Sequence, residues 1–135
     1  MPTIFTKIIQ GEIPCAKLYE DDRFFSFLDI RPISPGHALL IPKDETDYIF
    51  DLPDDLLADL LKTARPIAKA LEQHVPCKKV GLMVAGLEVP HCHLHMVPIN
   101  DVGDLNFAHA RPETPEALQE LAAKVRQTLS TQTKV

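Results

Sequence analysis

Glycine and cysteine are scarce in this 135-residue chain, with five of the first and three of the second. Cys15, Cys77 and Cys92 are odd in number, far apart and form no C-x-x-C pair. That argues against a disulfide framework and sets a reducing cytoplasm as the expected location. Apolar runs such as Gly81–Leu87 fall far short of a membrane span. The first residues lack a cationic stretch followed by an apolar one, so no secretory signal is expected. Basic charge is short too: 14 Lys and Arg face 19 Asp and Glu, leaving a net charge of −5 with histidine neutral. A binder of nucleic-acid polymers wants a basic face, so neither a polymer nor a membrane is an expected partner. Blocks of like charge, low-complexity tracts and internal repeats are all lacking.

What is present reads as one globular domain. Apolar residues make up 45% and charged residues 24%, which are ordinary globular values. Thr3–Gln10 carries Ile4, Phe5, Ile8 and Ile9 at helical spacing, and Gly11 can end that helix. Lys17–Glu20 and Phe24–Leu28 read as a β-hairpin, and His37–Ile41 as a strand closed by Pro42. Pro53–Val75 reads as a long helix with Leu56, Leu57, Leu60, Leu61, Ala64, Ala68 and Leu71 on one face. Pro66 should kink or split it. Val80–Val84 reads as a buried strand, Gly86 as a turn, and His91–Ile99 as an alternating strand. Asn100–Glu113 is a polar loop. Thr114 and Pro115 open a last helix that runs to about Leu129, after which the polar end should fray. The expected fold is α+β: an antiparallel sheet of about five strands with one long helix, a short N-terminal helix and a C-terminal helix. Residues 1–135 form a single domain in this reading, with 100–135 as a C-terminal extension.

Six histidines are present, and three of them fall at 91, 93 and 95. In a strand, alternate side chains share a face, so these three would point one way while Cys92, Leu94 and Met96 point into the core. Packing does not explain a row of imidazoles. Such a row can share a metal ion. It can also supply a nucleophile, with neighbours that fix its tautomer and stabilise developing charge. A purely structural hydrogen-bonded ladder is costly unless fully satisfied. Local chemistry does not separate metal from nucleophile.

The segment His91-Cys92-His93-Leu94-His95-Met96-Val97 resembles the signature of the histidine triad (HIT) family. Ile4-Phe5-Thr6-Lys7-Ile8-Ile9-Gln10-Gly11-Glu12-Ile13-Pro14 is similar to its N-terminal segment. Phe27–Pro32 with Gly36–Lys43 resembles its second block, and Ala85–Pro90 the turn into the triad. The blocks stand in the family's order from about Thr3 to Pro98.

The resemblance implies a nucleotide hydrolase or transferase acting at the α-phosphate of a nucleoside conjugate. The conjugate would be a nucleoside 5′-phosphoramidate or a dinucleoside polyphosphate, with a purine base. It implies His93 as nucleophile, through a covalent nucleotidyl-histidine. His95 would stabilise phosphoryl or leaving-group charge, and His91 and His37 would orient the nucleophile. Gly86 would add a main-chain donor. Asp29 would hold the ribose hydroxyls, although on local grounds alone a turn-capping carboxylate is the better reading. Phe5, Ile8, Phe27 and Ile30 would clamp the base. No metal or cofactor is needed in this scheme, and a homodimer is implied through the long helix and a sheet strand.

Some positions depart from the family pattern. Thr3 and Thr6 stand where some members carry zinc-binding cysteines. Gly86-Leu87-Glu88 replaces a sequence with a hydroxyl or amide near the leaving group, which leaves Glu88 to turn away or to meet a cationic leaving group. Val80–Val84 lacks a frequent asparagine. Two alternatives stay open: a metal-dependent hydrolase using the triad histidines as ligands, and a non-catalytic nucleotide-binding module. His74 and His109 fall outside the motif, and Arg111 could meet a distal phosphate. Cys92 should be an inert core thiol.

Overall fold

Thr3 caps the first helix, its Oγ1 accepting from the Thr6 N–H at 3.2 Å. The computed structural model describes residues 2–132. In chain order it contains α1 (Ile4–Ile9), β1 (Ala16–Glu20), β2 (Phe24–Leu28) and β3 (Ala38–Pro42). There follow a 3₁₀ turn at Ile49–Asp51, α2 (Asp54–His74), β4 (Lys79–Met83) and β5 (Leu94–Ile99). Two further 3₁₀ turns, Val102–Asp104 and Phe107–His109, precede α3 (Pro115–Gln132). The strands form one sheet in the order β1-β2-β3-β5-β4, and every pairing is antiparallel. The α+β arrangement expected from the sequence is the one observed.

Strand alternation divides the core in two. Phe24 and Leu28 of β2, Ala38 and Leu40 of β3, and Leu94 and Met96 of β5 pack under α2 and α3. Phe25 and Phe27 of β2 and Leu39 and Ile41 of β3 face the other way, joining Phe5 and Ile8 of α1 in a smaller cluster. The period of two along each strand forces this division. It leaves α1 as the helix on the second face.

On α2 the buried stripe is Leu56, Leu60, Ala64, Ile67, Ala70 and Leu71. Leu57 and Leu61, expected on that face, are exposed instead. Each follows a buried leucine by one position, and one residue turns the helix by about 100°. Pro66 does not split α2. The carbonyl that its missing N–H leaves without a partner belongs to Lys62, which is exposed to water.

The polar loop after β5 is more ordered than its composition suggested, with short turns capped by Asp101 and Asn106. Thr114 caps α3 as expected, its Oγ1 accepting from Ala117 N–H at 3.2 Å. Leu118, Ala122, Val125 and Leu129 bury α3 in the main core. The helix continues to Gln132, so fraying does not begin at Leu129. The chain end beyond that, 133–135, lies outside the described residues.

Candidate active site

The last strand begins later than expected. His91–Ile99 read as one strand, but β5 starts at Leu94. His91 and His93 therefore stand on the approach to β5, where Cys92 N–H donates to Thr46 O at 2.7 Å in place of sheet pairing. The alternation of sides survives: Cys92 is in the main core and all three triad histidines are buried on the other side.

Each ring has its own partners. The Nε2–H of His91 donates to Pro42 O at 2.8 Å, and its Nδ1 meets Thr3 Oγ1 at 2.7 Å. The Nδ1–H of His93 donates to the main-chain carbonyl of His91 at 2.7 Å. A neutral imidazole bound that way leaves its Nε2 lone pair free. The orienting contribution of His91 thus comes from its backbone rather than its ring.

His37 and His95 form a directed chain. The Ile33 N–H donates to His37 Nδ1 at 3.0 Å, so the proton of a neutral His37 is on Nε2. That Nε2–H points at His95 Nδ1, 2.9 Å away. The His95 proton is then assigned to Nε2 by the network. A backbone amide thus sets the tautomer of a ring two steps away. His37 was expected to orient His93; its hydrogen bond goes to His95 instead.

Burial sets the charge state. It pushes His37 down to about 4, and it does the same to His95 with help from His37 and His93. Burial also lowers His93. Burial raises the carboxyl of Asp29 against the pull of the Arg31 backbone N–H. The stability consequence has a definite sign. Between about 6.5 and 4 the unfolded chain takes up protons at positions 37 and 95 that the folded chain refuses. Stability should therefore fall as pH drops through that window, with Asp29 opposing the loss near its lower end. Urea midpoints measured from pH 7.5 to 4.5 check this, and His37→Leu should flatten the slope.

Asp29 caps its turn, as local grounds suggested, and turns its other oxygen toward the histidines. Its Oδ1 caps the turn by accepting from Arg31 N–H at 2.9 Å. Its Oδ2 lies 3.7 Å from His37 Nε2. Phe5 links the triad to the apolar cluster, with ring centroids 4.8 Å from His93 and 5.9 Å from Phe27. Ile8 and Phe27 are buried in that cluster. Ile30 is 66% exposed, at the rim. Gly86 has φ +70, which suits glycine, and comes near the backbone of Asp47. Glu88 is exposed.

The three triad histidines do not gather around one point. Among the described residues the one group of donors close enough to share a cation is Asp29, His37 and His95. A ligand set of His91, His93 and His95 is thereby ruled out by geometry, because His91 has both ring nitrogens committed elsewhere.

The other singled-out residues stand apart from the triad. His74 bonds Thr128 of α3 at 2.7 Å. His109 Nε2 faces Gly103 O at 3.2 Å, and the Arg111 guanidinium donates to its own loop, at Ala108 O and Ala110 O. Burial raises the Cys92 thiol to about 11, so it stays protonated. Sequence reasoning missed Thr3 as a partner of His91, across 88 positions, as well as the Ile33 amide and the Pro42 carbonyl. No spacing marks main-chain partners. Phe107 was also missed; its ring lies 5.1 Å from His95.

Comparison with known proteins gives the chain's family. A HIT domain model matches residues 10–102, more than half of the chain. The chain is 34% identical over 138 residues to Protein hit of Bacillus subtilis, covering 94% of each. It is 42% identical over 100 residues to adenosine 5′-monophosphoramidase HNT1 of Saccharomyces cerevisiae, covering 73% of this chain and 63% of that one. A solved Hit-like protein from Bartonella henselae superposes with a TM-score of 0.81 at 32% identity, covering 93% of this chain and 95% of that one. The chain belongs to the HIT family.

Proposed function

We propose that this protein is a nucleotide hydrolase or transferase that cleaves at the α-phosphate of a nucleoside conjugate. The observation that carries this reading is the His93 tautomer. With Nδ1–H held by the His91 carbonyl, the Nε2 lone pair is available at neutral pH. In this reading it attacks phosphorus, and the bond to the leaving group breaks as that group takes up a proton. Water then cleaves the phosphorus–nitrogen bond, freeing the nucleotide and restoring His93. His95 presents Nε2–H to a phosphoryl oxygen, held in that state by His37. Asp29 accepts from the ribose hydroxyls with its free oxygen. Phe5, Ile8 and Phe27 form the apolar seat for a purine, with Ile30 at its edge, and the Gly86 turn borders the phosphate. The name of the yeast relative favours a nucleoside 5′-phosphoramidate over a dinucleoside polyphosphate. The exposed Glu88 also fits an amine leaving group better than a second phosphate, which its carboxylate would repel.

Rapid-quench mass spectrometry with adenosine 5′-phosphoramidate tests the reaction. A transient adduct of one adenylyl group on His93 is expected within the first turnover. AMP binding without any adduct or turnover would instead make the protein a nucleotide-binding module. Activity lost on chelation and restored by a divalent ion would favour metal-dependent hydrolysis.

A homodimer belongs to the same reading. The apolar stripe on α2 is spent in the protein's own core. The surface left for a second copy is β4, an edge strand with Leu82 exposed, together with Leu57 and Leu61 on the outer side of α2. Leu61 is 57% exposed. Leu61→Glu should convert a dimer to monomer in sedimentation velocity while leaving the thermal midpoint of the monomer fold in place. No helix among the described residues is long and apolar enough to cross a membrane.

A further inference from the structure

Most of the loop between β5 and α3, from Gly103 on, lies beyond the matched family segment, yet it reaches back over the site. Its path is held on both sides. Leu105 packs so closely on β4 that a Cβ at Gly81 would come within 3.2 Å of it. Farther along, Arg111 N–H donates to Pro32 O at 3.2 Å and Glu113 N–H to Ile30 O at 3.1 Å. The loop therefore bridges from β4 to the turn that carries Asp29. Between these anchors the 3₁₀ turn Phe107–His109 is capped by Asn106, whose Oδ1 accepts from Ala108 N–H at 2.9 Å.

This placement sets the Phe107 ring against His95, with centroids 5.1 Å apart and planes at 71°. His93 stands 5.0 Å from the same imidazole. His95 is thus walled by two rings and tied at Nδ1 by His37. Phe107 is itself 48% exposed while His95 is 6% exposed, so Phe107 is a cover and His95 is what it covers. The hydrogen bond from His37 fixes one atom of the His95 ring. The last side-chain torsion of histidine is broad, so a second restraint is needed to hold the plane. A buried imidazole bond also weakens when water competes for it.

We propose that Phe107 is a positioning residue for this site, walling off His95 on the loop side and keeping water from the His37–His95 hydrogen bond. The inference rests on the proposed reaction only for its kinetic consequence. Its structural consequence can be read without turnover. The two variants are Phe107→Ala and Phe107→Leu, in an exposed turn whose caps and anchors are main-chain and Asn106 contacts. The first readout is exchange of the His37 Nε2–H proton with water, followed by NMR in selectively labelled protein. Phe107→Ala should speed it at least about tenfold, and Phe107→Leu should restore it to within about twofold. The second readout is turnover of adenosine 5′-phosphoramidate. Phe107→Ala should lower kcat about tenfold with KM nearly unchanged, and leucine should recover it.

Unchanged exchange in Phe107→Ala would overturn the proposal. So would a leucine variant as fast in exchange as the alanine one, because an apolar wall would then not be the cause. Wild-type protein that turns over no conjugate would sink the proposed reaction, and the exchange measurement would still decide the role of Phe107.

Discussion

His93→Ala is expected to lower kcat/KM for adenosine 5′-phosphoramidate by on the order of 10⁴-fold, as removal of a covalent nucleophile does elsewhere. The geometry makes the expectation specific. No other imidazole can substitute. His91 has both ring nitrogens engaged, with Thr3 and Pro42. His95 uses Nδ1 with His37 and has its proton on Nε2. The variant should lose the adenylyl adduct along with turnover. It should still bind AMP with an affinity close to that of the wild type, since the apolar seat and Asp29 remain. Its fold should hold at some cost in stability, because the buried His91 carbonyl loses its donor. Wild-type turnover in His93→Ala would remove the nucleophile assignment.

The second large effect is expected from His37→Leu. This change deletes the middle of the chain that runs from the Ile33 amide to His95. Two buried polar groups, the Ile33 N–H and His95 Nδ1, lose their partner at once. Each such loss costs about 1–3 kcal/mol, so a stability loss of about 2–6 kcal/mol is expected from urea unfolding at pH 7.5. His95 would no longer be held in the Nε2–H tautomer. Outer-layer partners of this kind are worth about 10- to 100-fold in activity, and the loss should appear in kcat. An unchanged kcat with lowered stability would show the chain to be structural only.

Much of the framework was legible in the sequence. The spacing of Leu56, Leu60, Ala64 and Leu71 marked the long helix, and Thr114-Pro115 marked the start of the last one. Apolar runs marked five strands, all of which formed, but Val80–Val84, read as buried, became the edge strand β4, whose residues are exposed or half-buried because it has a partner on one side only. The H-x-H-x-H pattern marked the candidate site. Two of the errors have a plain physical cause. Leu56 and Leu57 look alike in composition, but here only Leu56 faces the core; packing against α3 and the sheet chose it. The start of β5 was misread because alternation persists where sheet pairing has stopped, and Thr46 O supplies the partner for Cys92 that a strand would have supplied.

Side-chain identity and order settle which atoms the site has available: three alternating imidazoles, a fourth at His37, and a carboxylate at Asp29. Folding settles which nitrogen of each ring is free, and that is the property on which the proposed chemistry turns. Tautomers are chosen by main-chain partners, here the His91 carbonyl and the Ile33 amide, and every residue carries those groups alike. Nothing in a list of side chains distinguishes one backbone carbonyl from another; only the path of the chain brings a particular one within 3 Å of a particular ring.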